Sequence, residues 1–520
     1  MCGILVSTSD QIEFDDGSKC IVRRGPDQQQ KFEGNGYKFY FNRLAIMDLH
    51  ETGMQPFEND SAVLVANAEI YNERELKKHV DYQFKSTSDC EVLLPLYEKY
   101  GTQMFSKLDA EFAIVIYDKK NKYIVAARDP IGIRPMFYGY LKQDKKIVFA
   151  SEAKAIISKV DQVHVFPPGH FYIHDKFISF TSIFDDIKTH DDSLEKIYIE
   201  IEKRLNKGVL KRMQSDAPIG YLLSGGLDSS LVCAIAQKYN KKPLVTFSVG
   251  MDTDPIDLKY ARIVSKHLNT IHHEIMMTKE DVINILDEVI YALESYDITT
   301  IRASIGMFIV SKYIHEHTNI KVLLTGEVSD ELFGYKYTDF APSADAFQKE
   351  SIKRMKELHI YDVLRADRCI SYHSLEARVP FGDLSFVDYI MKINPKLKMN
   401  TYKMGKYLLR KAYEKDYLPQ EILYRQKAAF SDAVGHSMVD ILKAYANAYY
   451  DDHDYEQRRL AYKPMPLTKE ALLYREIFEK YYPKHDHLIK DYWMPNKTWD
   501  GCDVDDPSAR FLKNYGDSGK

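Results

Sequence analysis

Short apolar runs separated by Gly, Asn and Asp dominate the first part of the chain, up to about residue 190. Residues 37–41, 62–66, 113–117 and 123–127 are examples. Runs of this length between turn-forming residues favour β-strands. The polar residues 184–192 read as a connector, so we place a domain boundary there.

After the connector the hydrophobic spacing changes to that of helices. Leu194, Ile197, Ile201 and Leu205 recur every three or four residues behind a potential cap at Ser193. Apolar runs at residues 219–223, 244–249 and 321–325 then alternate with helical segments, which predicts a doubly wound parallel sheet. From about residue 350 the pattern is mostly helical. The predicted domains are therefore 2–190 and 191–495, followed by a polar, flexible tail at 496–520.

Charge and cysteine content narrow the function classes. The chain has 520 residues, with 71 Lys and Arg against 76 Asp and Glu, a net charge of −5 that argues against a nucleic-acid partner. No apolar run approaches the length of about 18 residues that a membrane helix needs. The six cysteines are too sparse for a disulfide scaffold and no export signal is visible, so a cytoplasmic protein with reduced thiols is expected.

A phosphate-binding loop is the first chemical signal. Ser224-Gly-Gly-Leu-Asp-Ser-Ser230 lies between a predicted strand and a predicted helix. Glycines let backbone N–H groups approach an anion, and a helix N-terminus adds partial positive charge. The hydroxyl groups donate further hydrogen bonds, and the Asp228 carboxylate is suited to Mg²⁺. No Lys follows the glycines, so this is not the common P-loop.

The loop resembles the pyrophosphate loop of ATP pyrophosphatases, and residues 1 to about 480 resemble glutamine-hydrolysing asparagine synthetases. The start Met-Cys-Gly-Ile and Arg24-Gly-Pro-Asp27 resemble class II glutamine amidotransferases. The resemblance implies an αββα sandwich of the N-terminal-nucleophile type, followed by an ATP-pyrophosphatase domain. It also implies that Cys2 becomes the N-terminal nucleophile once Met1 is removed. Its free α-amino group, with a reference pKa near that of the thiol, would then act as base.

Several segments of the first domain resemble family motifs for glutamine. Residues 42–48 resemble RLSIVD, whose Arg binds the substrate carboxylate. Residues 67–72 resemble NGEIYN, in which the Asn side chain and the next backbone N–H form the oxyanion hole, and residues 88–91 resemble SDCEV, whose Asp binds the amino group. The glutamine-binding residues so implied are Arg43, Leu44, Ala45, Ile46, Met47, Asn67, Ala68, Glu69 and Asp89.

The second domain carries the motifs for ATP chemistry. Residues 325–331 resemble SGEGSDE, which makes Glu327 the expected base for amination and Asp330, with Asp228, a ligand of Mg²⁺. Residues 295–304 resemble the family's aspartate-side segment, and residues 425–427 resemble RQK, whose Lys contacts ATP phosphate. The expected nucleotide-binding residues are Leu223, Ser224, Gly225, Gly226, Asp228, Ser229, Ser230, Val249, Thr325, Gly326 and Lys427.

Five positions depart from the family pattern. Ala68, Ala110 and Val328 stand where glycine is usual, Gly382 replaces a Leu, and Arg23 replaces a His. An Ala at position 68 preserves the backbone donor if the local φ tolerates a Cβ atom.

The resemblance implies ATP-dependent synthesis of asparagine from aspartate and glutamine, with Mg²⁺ and small-molecule partners only; a homodimer is left open. Three alternatives remain. The enzyme could amidate another acceptor or close a lactam, it could use free ammonia, or the chain could be a non-enzymatic glutamine-binding protein.

Overall fold

The first part of the chain consists mainly of antiparallel strands. The computed structural model describes residues 1–9, 11–253, 255–426 and 436–514. In chain order its first elements are β1 (Gly3–Ser7), α1 (Asp15–Cys20), β2 (Gln28–Gly34), β3 (Tyr37–Arg43), β4 (Phe57–Glu58), β5 (Ala62–Ile70), α2 (Glu73–Lys77), α3 (Leu93–Tyr100), β6 (Ala110–Asp118), β7 (Tyr123–Arg128), β8 (Phe137–Leu141), β9 (Ile147–Ala150), β10 (Val160–Val165), β11 (His170–Ile173) and β12 (Lys176–Ser179).

These strands form a sandwich. One sheet has the order β10-β8-β9-β1-β3-β2 and the other β12-β11-β7-β6-β5-β4. Ile4 of β1 and Val65 of β5 belong to the apolar layer between the sheets. Leu64, the neighbour of Val65, faces the opposite way and packs with Leu93 of α3. Since both faces of these strands are buried, their sequences are continuous apolar runs. The predicted αββα sandwich is confirmed.

In the second part of the chain, strands alternate with helices as predicted. Its elements are α4 (Leu194–Arg212), β13 (Ile219–Leu222), α5 (Leu227–Tyr239), β14 (Val245–Met251), α6 (Ile256–Leu268), β15 (Ile271–Met277), α7 (Lys279–Asn284), α8 (Leu286–Leu293), α9 (Ile298–His317), β16 (Val322–Leu324), α10 (Ser329–Phe333), α11 (Ala344–Glu357), α12 (Asp362–Ser371), β17 (Glu376–Arg378), α13 (Leu384–Lys392), α14 (Pro395–Lys398), α15 (Tyr407–Ala412), α16 (Gln420–Leu423), α17 (His436–Tyr449), α18 (Asp452–Arg458) and α19 (Lys469–Tyr481).

A parallel sheet organises this second part. Its strand order is β15-β14-β13-β16-β17, and every pairing is parallel. Leu323 of β16 packs in the cluster that contains Ile301 of α9, whereas its neighbour Leu324 packs in the cluster that contains Leu231 of α5. Helices therefore cover both faces, which confirms the doubly wound prediction and its helical C-terminal part. No helix among the described residues is long and apolar enough to cross a membrane.

Residues 496–514 differ from the flexible tail that their polarity suggests. Trp499, Cys502 and Leu512 are buried in a cluster with Tyr337 and Phe347. Apolar side chains that are widely spaced among polar ones give no periodic pattern in the sequence. Each of these three side chains nevertheless packs against the second domain. This segment is therefore part of the folded structure up to Asn514.

Candidate active sites

Cys2 and Asn67 meet at the start of β1. The backbone N–H of Cys2 donates to Asn67 Oδ1 at 2.9 Å, and the Cys2 thiol lies 3.8 Å from the Leu44 carbonyl oxygen. Asn67 is 1% exposed, and its Nδ2 has no hydrogen-bond partner among the described residues. A buried amide donor without a partner is costly, so it is suited to an oxyanion that arrives with substrate.

Met1 still precedes Cys2 and is itself buried. Its ammonium group lies 3.3 Å from Glu376 Oε2 in the second domain. Burial raises the pKa of the Cys2 thiol and lowers the pKa of the Met1 amino group. While Met1 remains, the nitrogen of Cys2 is an amide and cannot take a proton. Removal of Met1 would create a free amine at the atom that now contacts Asn67.

Arg43, at the end of β3, is held by two main-chain oxygens and one side-chain oxygen. Its guanidinium donates to Gln28 Oε1 at 2.6 Å, to the His50 carbonyl at 2.6 Å and to the Asp48 carbonyl. A Cβ atom on Gly53 would lie 2.3 Å from Arg43 Nη2 and 2.9 Å from Asp48 Cβ, so a larger residue there would displace the guanidinium. The close backbone fixes the guanidinium beside the loop of Leu44, Ala45, Ile46 and Met47, which leads from β3.

The Ala68 substitution is compatible with its backbone. Ala68 lies within β5, opposite Phe112, and is not among the residues with positive φ. An extended backbone accepts a Cβ atom without strain, so a glycine is not required at this position. The carboxylate of the next residue, Glu69, lies 2.6 Å from Arg378 in the second domain. That side chain is engaged at the domain interface.

Asp89 is buried next to the same strand. Its Oδ2 accepts the backbone N–H of Ile70 at 2.7 Å. Burial raises the pKa of Asp89 to about 6, because the hydrogen bond from Ile70 and the charge of Arg378 only partly offset the loss of hydration. A carboxylate that is poorly solvated gains most from a positively charged substrate group.

Glutamine binding should therefore weaken as the pH falls through about 6. Protonation removes the negative charge that would bind the amino group, so the KM for glutamine should rise about tenfold per pH unit well below this pKa. Steady-state glutaminase assays between pH 5 and 8 measure this. A KM for glutamine that stays flat between pH 5 and 8 would contradict the assignment.

Arg24 is a functional candidate that the motif analysis left without a role. Its Nε donates to the Cys2 carbonyl at 3.1 Å, and its two Nη atoms bind Asp367 of α12 at 2.7 and 2.9 Å. Glu152 Oε1 accepts a further bond at 2.8 Å. The Arg24-Gly-Pro-Asp27 motif marked the residue, but its partner lies 343 positions away and no local signal identifies it.

The second site is a cavity of about 240 Å³ at the carboxyl ends of the parallel strands. Of the residues predicted for nucleotide and acceptor chemistry, the cavity is lined by Leu223, Ser224, Gly226, Asp228, Ser229, Val249, Thr325, Gly326, Glu327 and Asp330. Gly225 does not line it, and neither does Ser230, which is fully buried on α5. Lys427 lies outside the described residues. The site residues remain predictions.

The phosphate loop has the tight geometry that its glycines suggest. Gly225 has φ +70°, and a Cβ atom there would lie 2.5 Å from the backbone nitrogen of Ala261 in α6. Within the loop, Ser224 Oγ lies 3.0 Å from Ser229 Oγ. Helix α5 starts at Leu227, earlier than predicted, so Asp228 and Ser229 lie in its first turn. A helix N-terminus of this kind can bind an anion.

Asp228 and Asp330 are joined by a lysine that sequence analysis missed. Lys406 Nζ lies 2.8 Å from both oxygens of Asp228 and 2.6 Å from Asp330 Oδ1. Ser329 Oγ also donates to Asp228 at 2.8 Å. Lys406 follows no recognised motif, so only the fold identifies it.

This donor set suits Mg²⁺. Across the described ranges, no group of three or more His, Cys, Asp or Glu side chains could hold a metal ion. Mg²⁺ in phosphate-transfer sites is commonly held by one or two carboxylates together with substrate phosphates. Asp228 and Asp330 meet that requirement, and the Lys406 ammonium lies between their carboxylates.

Glu327 lies apart from this carboxylate pair. Its Oε1 is 3.5 Å from Arg365 of α12, and its Oε2 has no hydrogen-bond partner within the described part of the chain. A carboxylate oxygen that lines the cavity and lacks a donor is available to a substrate proton. Arg365 and Asp367 both belong to α12, so this helix contacts both candidate sites.

Two departures from the family pattern are in contact. Val328 caps α10 with φ +80°, a left-handed conformation that is unfavourable for a β-branched residue. A Cβ atom on Gly382 would lie 3.8 Å from Val328 Cγ2 and 3.1 Å from Ile133 Cδ1. The missing side chain at position 382 leaves room for the added one at position 328.

Replacing both residues should show this coupling. Gly382→Leu alone should destabilise the protein because Ile133 and Val328 occupy the space, whereas Val328→Gly combined with Gly382→Leu should be more stable than that single variant. Residues in contact typically couple by about 0.5–3 kcal/mol. Denaturant unfolding gives the free energy of unfolding of the wild type, of Val328→Gly and Gly382→Leu alone, and of the double variant. Additive effects within about 0.5 kcal/mol would contradict the contact.

Fold and sites together define a class II glutamine amidotransferase joined to an ATP-pyrophosphatase synthetase. A family model described as a glutamine amidotransferase domain matches residues 1–189, and one described as asparagine synthase matches 200–345 and 338–501. The chain belongs to the family of glutamine-hydrolysing asparagine synthetases. It is 38% identical to asparagine synthetase 2 of Oryza sativa subsp. japonica, covering 100% of this chain and 92% of that protein.

Relatives from yeast and human also match this chain over almost their whole length. The chain is 39% identical to glutamine-hydrolysing asparagine synthetase 1 of Saccharomyces cerevisiae and 38% identical to the asparagine synthetase of Homo sapiens. Each match covers 95% of this chain and 95% of the relative. The resemblance stated from the motifs is thus confirmed over nearly the whole length.

Proposed function

We propose that this protein makes L-asparagine from L-aspartate and ATP with glutamine as the nitrogen donor, releasing AMP, pyrophosphate and glutamate. Residues 2–190 carry the glutaminase and residues 191–495 the synthetase. One observation carries the proposal: a single cavity is lined by the phosphate loop, by Glu327 and by Thr299 and Arg302 of the segment that resembles the family's aspartate side. The residues expected to bind ATP and those expected to bind the acceptor therefore line the same cavity.

The first half-reaction belongs to Cys2. After Met1 is removed, the α-amino group takes the thiol proton and the sulfur attacks the glutamine amide. Asn67 Nδ2 and the backbone N–H of Ala68 donate to the developing oxyanion, while Arg43 and Asp89 bind the α-carboxylate and α-amino group. Loss of ammonia leaves a thioester, which water hydrolyses to glutamate.

The second half-reaction belongs to the cavity. The aspartate β-carboxylate attacks the ATP α-phosphate, and pyrophosphate leaves from the loop of Ser224–Ser229. Mg²⁺ held by Asp228 and Asp330 would neutralise phosphate charge. Glu327 then takes a proton as ammonia from the first site displaces AMP from the aspartyl adenylate. Arg365 keeps the Glu327 carboxylate oriented.

We also propose a cytoplasmic location and no nucleic-acid partner. The six cysteines are all unpaired, which supports a reducing compartment, and the net charge of −5 gives no attraction for a polyanion.

Product analysis tests the function. Purified protein supplied with glutamine, aspartate and Mg-ATP should form asparagine, AMP and pyrophosphate in equal amounts. Glutamate and other amino-acid carboxylates in place of aspartate serve as the control for a different acceptor or a lactam-forming enzyme. Pyrophosphate release with another acceptor but not with aspartate would show that aspartate is the wrong acceptor. The absence of any ATP turnover would support a non-enzymatic glutamine-binding protein instead.

A further inference from the structure

The C-terminal segment forms one wall of the synthetase cavity. Pro507, Ser508 and Ala509 line the same space as Thr299 and Arg302 of α9. Ala509 is 4% exposed, so the segment is packed against the protein on one side and borders the cavity on the other. No motif assigned a role to these residues.

A buried ion pair fixes this segment. Asp506 accepts two hydrogen bonds from Arg302, each 2.9 Å long, and lies 2.8 Å from Lys443 Nζ. The same carboxylate accepts the backbone N–H of Ser508 at 2.8 Å, which sets the turn that carries residues 507–509 into the wall. Parallel two-bond contacts between arginine and carboxylate are geometrically specific.

Arg302 is fully committed by these contacts. Besides Asp506, it binds both oxygens of Glu470 at 2.8 and 2.5 Å, and its side chain is 2% exposed. A guanidinium with two carboxylate partners is already neutralised. Its role in the cavity is therefore to hold the wall in place.

The residues next to this wall indicate which ligand the wall would contact. Thr299, Arg302 and Ala303 of α9 line the cavity together with residues 507–509, and Arg302 binds Asp506 directly. The phosphate loop leads instead into the first turn of α5. Residues 507–509 therefore border the cavity next to α9, the helix that carries the segment resembling the family's aspartate side. We propose that residues 506–509 complete the aspartate pocket, with Asp506 as a positioning residue that acts through its ion pair with Arg302. This inference rests on the proposed function for the identity of the acceptor.

Asp506→Asn is the main test, because it keeps the size of the side chain and removes its charge. We expect the KM for aspartate to rise about tenfold or more, the equivalent of about 1.4 kcal/mol. The affinity for ATP, measured by equilibrium binding, and glutamine hydrolysis should stay at wild-type values. Asp506→Glu should recover most of the aspartate affinity because it restores the charge.

The adjacent Asp505 is the matched control. Its side chain is 79% exposed and lies 3.5 Å from Lys497. Asp505→Asn should leave every parameter unchanged. An unchanged KM for aspartate in Asp506→Asn would overturn the proposal, as would equal losses of ATP affinity and glutamine hydrolysis, which would indicate a general folding role.

Failure of the proposed function gives a different result. If the wild-type protein releases pyrophosphate only with another amino-acid carboxylate, aspartate is the wrong acceptor. Asp506→Asn should then raise the KM for that acceptor. An unchanged KM for that acceptor would refute the proposed role of residues 506–509.

Discussion

Cys2→Ala should abolish asparagine synthesis from glutamine and preserve synthesis from ammonium. The thiol is the proposed nucleophile of the first site, and loss of a nucleophile typically costs about 10³-fold or more in rate. The contacts of the second site, from the phosphate loop to Glu327, do not include Cys2. Parallel assays with glutamine and with ammonium chloride measure the two activities in one preparation.

The exposed Cys20 provides the matched control for this variant. Cys20→Ala should keep both activities. Loss of ammonium-dependent synthesis in folded Cys2→Ala protein would contradict the separation of the sites. Mass spectrometry adds an independent check, because active enzyme should lack Met1.

Glu327→Gln should separate activation of aspartate from its amination. The side chain keeps its shape but loses the ability to take a proton, so asparagine formation from ammonium should fall by about 10²–10⁴-fold. Adenylation should persist, because the carboxylates expected to hold Mg²⁺ are Asp228 and Asp330. Pyrophosphate release and asparagine formation are measured separately in the same reaction.

Asp228→Asn is the informative comparison, since it changes the earlier step. It should reduce exchange of pyrophosphate into ATP and asparagine formation together. Glu316→Gln, on the exposed surface of α9, should change neither. Parallel loss of both products in Glu327→Gln would show that this residue also serves adenylation, and normal asparagine formation would exclude it as the base.

The sequence predicts those parts of the fold that depend on local patterns. The apolar runs that became β5 and β6 and the helical spacing of α4 are visible because burial repeats along each element. Motif residues such as Ser224 and Glu327 were recognisable because backbone geometry and chemistry restrict the residue types over a few neighbouring positions.

Contacts between distant parts of the chain could not be predicted in this way. Arg24 and Asp367, or Arg302 and Asp506, form ion pairs whose partners depend on how two elements pack, and either residue alone reads as a surface charge. Lys406 belongs to no motif. The polar C-terminal segment hides its few buried residues because they follow no period, which is why its place beside the cavity emerged only from the fold.

An isotope experiment tests the central claim that one chain produces ammonia at the first site and consumes it at the second. Protein is incubated with glutamine labelled with ¹⁵N in the amide, aspartate and Mg-ATP, and the products are analysed by mass spectrometry. The account predicts ¹⁵N in the side-chain amide of asparagine, with one AMP and one pyrophosphate formed per labelled molecule. Labelled ammonium and glutamate without labelled asparagine would contradict it.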